Sequence, residues 1–421
     1  MQILSTPDCR GHGQELLRGV KYKIRPWTRE GTRIITFAKI AASCIRQTDA
    51  PRYRQPLPQL HLQPRAASKS QLWKWVLLSI WYTNLSMFSE RRSFARKLLL
   101  LSLTAALLGF AACTKKSTAQ TPVDLQLKTS VPFRFVAYGD TRFHDPKDTD
   151  AANPEVRVAL VEAIAGVNPA FICFTGDIVY NGYDEDDWKV WDKETSVWRD
   201  KNIPVYPALG NHDLHGSEKI ALSNYFHRFP DLHNSRYYSV RAANTLILVL
   251  DSSLDEVSGP QGQWLAGKLD NIPADVDFVF LMFHHPPYTS SSDMKMLGGG
   301  HSARSTEKAL AKILEDRQAH VRARFVVFSG HVHNYERHER GSVTYFVSGG
   351  GAAHAYPIER APTDPFQSKE VNYHYLLVEV DHEQLKITMN RIDLSSGKAV
   401  WTQPDSVKIT TPAAASTAAG H

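Results

Sequence analysis

Five apolar stretches of strand length each end in side chains that can bind a metal. FVAYGD ends at Asp140, FICFTGD at Asp177, VYPALGNHD at Asn211-His212-Asp213, FVFLMFHHPP at His284-His285, and FVVFSGHVH at His331 and His333. Open α/β sheets bind ligands at the carboxyl ends of their strands, so five such endings predict one assembled site on an α/β fold. A glycine precedes the polar residue in four of the five, which suits a sharp turn out of a strand. Taken singly, each piece is ambiguous. A Gly-Asp is a common turn, a His-His-Pro a common loop, and a His-x-His more often structural than ligating. Their joint occurrence, each after an apolar run, argues for a built site.

The rest of the pattern agrees with an α/β domain. Strand-like runs fall at 133–138, 170–175, 203–209, 245–250, 277–283, 324–329, 343–348, 373–380 and 384–390. Several are continuous rather than alternating, as in strands buried on both faces. Helical stretches at 155–166, 186–199, 261–270 and 305–318 separate the earlier runs. Strands alternating with helices predict an α/β architecture. Trp188, Trp191 and Trp198 read as a core stripe on the second helical stretch. The last runs are joined by short turns and read as antiparallel. Residues 411–421, rich in Ala, Ser and Thr, read as a disordered tail.

The N-terminal quarter is different in kind. The formal net charge of the 421-residue chain is +6, but residues 1–86 alone hold 14 Lys and Arg against 4 Asp and Glu. From residue 113 onward the balance is slightly acidic, so charge gives no support to a nucleic-acid partner. Residues 1–86 lack sustained periodicity and read as a disordered, non-domain extension upstream of a second start at Met87. The run 87–112 has the parts of an export signal: a basic stretch (Arg91, Arg92, Arg96, Lys97), an apolar stretch Leu98 to Ala112, then small residues before Cys113. It resembles a bacterial lipoprotein signal with Cys113 as the lipid-bearing residue, and Arg91-Arg92 also resembles a twin-arginine motif. The rival reading is an uncleaved anchor, for which a 15-residue apolar stretch is short. Residues 113–130 read as a polar linker and 131–410 as the folded domain. Four cysteines in the whole chain exclude a disulfide scaffold.

Carboxylate, amide and imidazole donors suit Fe, Zn or Mn, and the set contains no thiolate. Cys173 lies inside an apolar run and reads as core. Two such ions about 3.5–4 Å apart can clamp a phosphoryl group and hold the attacking hydroxide, with one carboxylate bridging them. The series GDTR, GDIVY, GNHD, HHPPY and GHVHNYER resembles the calcineurin-like metallophosphoesterases. GDxxY and GHVHxYER look like the purple acid phosphatase branch. The resemblance covers about residues 133–351.

The resemblance implies a four-layer α/β sandwich, two mixed β-sheets flanked by helices. It also implies roles. Asp140 and His333 bind the first of two transition-metal ions, with Tyr180 as a tyrosinate ligand; the competing reading of Tyr180 is a packed side chain. Asp177 bridges. Asn211, His284 and His331 bind the second ion. His212 serves the leaving oxygen or the phosphoryl group, and Asp213 orients His212. The first motif departs from the superfamily's Asp-x-His, because Arg142 stands where a ligating His is expected. Arg stays protonated and cannot ligate, but it can hold a phosphate oxygen; its plain alternative is a surface salt bridge. By position, His144 and Asp145 are candidates to line the cleft and His215 to stand behind the ligands; His301, on a Gly-rich loop, reads as a solvated side chain, with substrate contact as the rival reading. The implied reaction is hydrolysis of a small phosphate monoester by a metal-bound hydroxide in an exported, metal-dependent enzyme that meets membrane only through its signal or lipid. A phosphodiesterase or nucleotidase with the same site, and an inactive lipid-anchored binding protein, are the rivals.

Overall fold

A computed structural model describes residues 121–291 and 301–412, all within one compact unit. The upstream extension, the export signal and Cys113 lie outside the described residues, as do 113–120 and 413–421.

The strand runs form two sheets. The first contains β1 (Val123–Leu127), β5 (Tyr238–Ala242), β6 (Thr245–Val249), β7 (Phe278–Met282), β8 (Arg324–Ser329), β9 (Tyr335–Arg340) and β10 (Val343–Ser348), in the order β1-β5-β6-β7-β8-β10-β9. The second contains β2 (Phe133–Tyr138), β3 (Ile172–Phe174), β4 (Val205–Pro207), β11 (Tyr373–Asp381), β12 (Gln384–Asp393), β13 (Val400–Thr402) and β14 (Ser406–Thr410). Its order is β13-β12-β11-β2-β3-β4, with β14 on β12. Both sheets are mixed. β2, β3 and β4 run parallel, as do β6, β7 and β8. β11 is antiparallel to β2 and β12.

Side-chain parity along the strands sorts the layers. On β2, Phe135 points at the other sheet: its ring meets Phe280 edge-on at 5.0 Å and Phe328 at 6.3 Å. Tyr138 points the other way, onto Trp198 at 6.1 Å. On β7, Phe280 and Met282 join the core between the sheets, while Val279 and Leu281 pack with Leu265, Leu310 and Leu314. Two sheets face to face with helices on both outer faces make the expected four layers.

The helices follow local signals. α1 (Pro154–Gly166) begins with Pro at its first position, and the Asn153 side chain accepts from the Val156 N–H. In α2 (Glu185–Glu194) Asp184 caps the Asp186 N–H. The stretch predicted as one helix over 186–199 breaks at Thr195, and α3 (Ser196–Asp200) follows. Trp188, Trp191 and Trp198 are buried as a core stripe. α4 (Glu218–Arg228) lies outside the four predicted helical stretches; its hydrophobic signal is weak because only Ala221 and Tyr225 are buried. α5 (Gly259–Asp270) and α6 (Ser305–Gln318) complete the set.

The linker expectation for 113–130 is corrected. Residues 123–127 are β1, paired in parallel with β5. Val123, Leu125 and Leu127 alternate with exposed Asp124 and Gln126, a period-2 pattern too short to stand out. The tail also starts later than residue 411. Thr411 is buried, and its N–H donates to the Glu383 carbonyl.

Candidate metal centre

β2, β3 and β4 from one sheet and β7 and β8 from the other end at the same place. Asp140 follows β2, Asp177 follows β3, Asn211 follows β4, His284 follows β7, and His331 and His333 follow β8. Donor atoms of Asp140, Asp177 and His284 lie within 4.8 Å of one another, and so do those of His284, His285 and His331. His284 belongs to both groups, and Asp177 Oδ1 stands 3.4 Å from its Nε2. His284 Nε2 is also 3.0 Å from Asn211 Oδ1 and 3.2 Å from His331 Nδ1.

The backbone is bent to achieve this. Asp140, Asp177 and His331 all have positive φ (60°, 52° and 69°), a conformation that costs a residue with a Cβ and persists where the surroundings enforce it. The glycines before them permit the close approach. A Cβ on Gly330 would sit 2.2 Å from Asp140 Oδ2, and one on Gly210, the glycine before Asn211, would sit 2.3 Å from Asp177 Oδ1.

Hydrogen bonds set the state of each donor. The His331 N–H lies 3.0 and 3.1 Å from the two Asp140 carboxylate oxygens. His284 Nδ1 donates to the Thr175 carbonyl at 2.9 Å, and His333 Nδ1 to the His354 carbonyl at 2.9 Å. A carbonyl only accepts, so both rings carry their proton on Nδ1 and present a bare Nε2, the form a metal binds. His333 Nε2 points toward Asp140 Oδ1 at 3.8 Å.

The charges of this cluster call for a cation. Asp140 is fully buried; desolvation and the neighbouring Asp177 push its carboxyl well above the usual range. Burial also acts on Asp177, but His284 and His212 in their protonated forms, Arg142 and the His212 N–H outweigh it and hold that carboxylate well below its ordinary value. Desolvation lowers both His284 and His333. Among the described residues, Asp177 Oδ2 and His333 Nε2 are buried without a hydrogen-bond partner. Buried polar atoms are normally satisfied. Two unsatisfied acceptors beside two crowded carboxylates and neutral imidazoles fit a pair of transition-metal ions.

Arg142 lies against this cluster rather than on the surface. Its Nη2 is 3.5 Å from Asp177 Oδ2, with 15% of the side chain exposed. Tyr180 stands at the edge, its ring 5.4 Å from that of His212 and 5.1 Å from that of His144. His212 is held by its Nδ1, 2.7 Å from the Tyr180 carbonyl. Burial lowers its pKa to about 4, with Arg142 adding to the effect and Asp177 opposing it.

The expectation that Asp213 orients His212 is overturned. Asp213 Oδ1 accepts from the N–H groups of Ile178 and Val179, and Oδ2 from that of Gly210. Among the described residues its carboxylate hydrogen bonds are to backbone N–H groups, so it ties the two ligand loops together. The Tyr180 carbonyl does the orienting.

The fold also places the remaining residues around the ligands. His301 stands over the ligands, its ring 4.8 Å from that of His331 and 5.6 Å from that of His333. His285 comes within ligand distance of His284 and His331, while its Nδ1 pairs with Ser252 Oγ. Tyr356 packs its ring 5.7 Å from that of His333. The His215 ring lies 4.2 Å from that of His212, tilted by 46°. His144 pairs with Asp187 and Asp148; Asp145 caps the Lys147 N–H in an exposed turn. No sequence signal marks Tyr356; the adjacent histidine pair could have flagged His285.

Residues 133–335 match the family model of the calcineurin-like phosphoesterases. They form a calcineurin-like phosphoesterase domain. Purple acid phosphatase 1 of Ipomoea batatas is 25% identical over 231 residues, covering 50% of this chain and 44% of its own length. Fe(3+)-Zn(2+) purple acid phosphatase 12 of Arabidopsis thaliana is 24% identical over 209 residues, covering 45% of this chain and 42% of its own. The chain thus spans less than half the length of these relatives. A purple acid phosphatase from seeds of yellow lupin (Lupinus luteus) shares the fold, with a TM-score of 0.52 at 15% identity over 67% of this chain and 54% of its own. These relatives support a place in the purple acid phosphatase-like branch.

Proposed function

We propose that this chain is an exported phosphomonoesterase that works with two transition-metal ions and is tethered to a cell envelope through Cys113. The observation that carries the catalytic part is the pair of buried acceptors without a hydrogen-bond partner, Asp177 Oδ2 and His333 Nε2, among converging donors. Asp140 and His333, with Tyr180, would hold one ion; Asn211, His284 and His331 would hold the other; Asp177 would bridge. Two ions there would stabilise charge on the phosphoryl group and acidify water. The iron–zinc pair in the name of the Arabidopsis relative favours Fe and Zn over Mn.

The chain's own groups do the rest. Arg142 is positioned beside Asp177 to hold a phosphoryl oxygen, and its planar guanidinium suits that task. The Nδ1 proton of His212 is committed to the Tyr180 carbonyl, so Nε2 is the atom that takes up a second proton in acid and passes it to the leaving oxygen. Asp213 keeps the loops carrying Asp177 and Asn211 in register. Export and lipidation rest on the sequence pattern at 87–113 and on nothing in the fold.

The test compares a chromogenic phosphomonoester with the matching diester, on the full chain supplied with Fe, Zn or Mn. Monoester preference, abolished by Asp177→Asn together with bound metal, is the expected result. Diester preference would move the chain to the phosphodiesterases, and no turnover with any metal would leave a binding protein. For localisation, Cys113→Ser should shift the protein from the membrane to the soluble fraction.

A further inference from the structure

The carboxyl end of β6 also reaches the metal centre. β6 runs parallel to β7, with Val249 paired to Met282, and three residues beyond that pair stand Ser252 and His285. Ser252 Oγ meets His285 twice. It accepts the His285 backbone N–H at 3.2 Å and lies 2.8 Å from the ring Nδ1. Ser252 is itself fixed: it is 2% exposed, and its carbonyl accepts from Arg304 Nη2, the residue before α6.

The His285 ring packs with the two imidazoles of the second ion's set. Its centroid lies 4.4 Å from that of His331, tilted by 48°, and 5.0 Å from that of His284, at 82°. The His284 and His331 rings are 5.0 Å apart. Imidazoles bound to one ion at ~2.0–2.1 Å, at right angles or tetrahedrally, place their centroids about 4.5–5.2 Å apart. A ring nitrogen of His285 lies within 4.8 Å of the donor atoms of both His284 and His331. Those two donors, 3.2 Å apart, already form a face with Asn211 Oδ1, which is 3.0 Å from one and 3.1 Å from the other. Burial lowers the His285 pKa, so the ring is neutral, as a ligand must be.

We infer that His285 is a third imidazole ligand of the second ion, with Ser252 as its anchor. This rests on the metal-centre part of the function proposed above. A serine oxygen has two lone pairs, so Ser252 Oγ accepts both the backbone N–H and the Nδ1–H of His285. The Thr175 carbonyl takes the Nδ1 proton of His284 in the same way. Nε2 of His285 is then left bare to coordinate. A donor beyond Asp177, Asn211, His284 and His331 holds the second ion more tightly and leaves fewer positions on it for water or substrate.

The test uses the full chain, labelled with ¹⁵N at histidine, stripped of metal and loaded with ¹¹³Cd²⁺ alone. One-bond coupling between cadmium and nitrogen marks each imidazole that binds an ion. Coupling is expected on His284, His285, His331 and His333, and His285→Gln should remove it from one ring and leave the others. That variant and Ser252→Ala should each weaken cadmium binding at the second ion about tenfold, read by titration. Coupling on His284, His331 and His333 but not on His285 overturns the inference and leaves the metal centre standing. Unchanged cadmium affinity in both variants also overturns it. Coupling on no histidine overturns the inference and the metal centre together. If His285→Gln does not fold, Ser252→Ala keeps the ring and identifies its resonance by the shift. Turnover is not read, so a failure of the phosphomonoesterase reading leaves the outcome intact.

Discussion

Replacing Asp213 by Ala separates a scaffold role from a catalytic one. The Asp213 carboxylate accepts three backbone N–H groups: Ile178 at 2.8 Å, Val179 at 3.3 Å and Gly210 at 2.9 Å. The side chain is fully buried. Each N–H left without a partner in a buried site costs about 1–3 kcal/mol. Two terms reduce the sum. Water entering the space left by the carboxylate satisfies part of the loss. Burial and Asp177 already push the Asp213 carboxyl up to about 8, so its removal relieves some repulsion. The expected net loss is about 3 kcal/mol, the low end for three donors, and a large share of the ~5–15 kcal/mol typical of a domain. Urea unfolding of the metal-free full chain measures it directly. Metal affinity should fall as well, because the loops carrying Asp177 and Asn211 lose their tie. A loss under about 1 kcal/mol with activity abolished would refute the scaffold argument and restore Asp213 to a partnership with His212.

Three further outcomes follow from the same structure. Burial and the adjacent Glu307 raise the Glu256 carboxyl to about 8, with Arg304 opposing; the folded state then keeps a proton between pH 4.5 and 8 that the unfolded chain releases, so stability falls as pH rises through that window, and Glu256→Gln should flatten the fall and exceed the parent's denaturation midpoint at pH 8 but not at pH 5. Phe135→Ala empties the centre of the core, where its ring touches Phe171 at 4.7 Å and Phe280 at 5.0 Å, and should cost about 3–5 kcal/mol in urea unfolding. His333→Ala should weaken metal retention measured by elemental analysis after dialysis, with far-ultraviolet circular dichroism unchanged; full metal content in this variant would remove His333 from the ligands.

Much of the fold was legible because buried strands and helices announce themselves locally. β8 and β10 match their apolar runs residue for residue, and α6 matches its helical stretch. Elements with few buried positions were not legible. β1 shows three apolar residues in alternation, and α4 buries two side chains, so their stability comes from partners distant in sequence. The candidate ligands were legible for a different reason: each must leave a strand at its carboxyl end, and that leaves a written mark of apolar run, small residue and polar donor.

The sequence by itself therefore determined which side chains can meet a metal, because residue type and strand ending are local properties. The tertiary structure decided how those side chains are held. Asp213 binds backbone rather than His212 because three N–H groups from two different loops converge on it. His333 presents Nε2 because the His354 carbonyl, 21 residues away, takes its other proton. Tyr356 borders the ligands because Asn334 anchors its carbonyl across 22 residues. A carbonyl or an amide is present at every residue and carries no mark in the sequence; only the path of the chain says which of them a side chain will find.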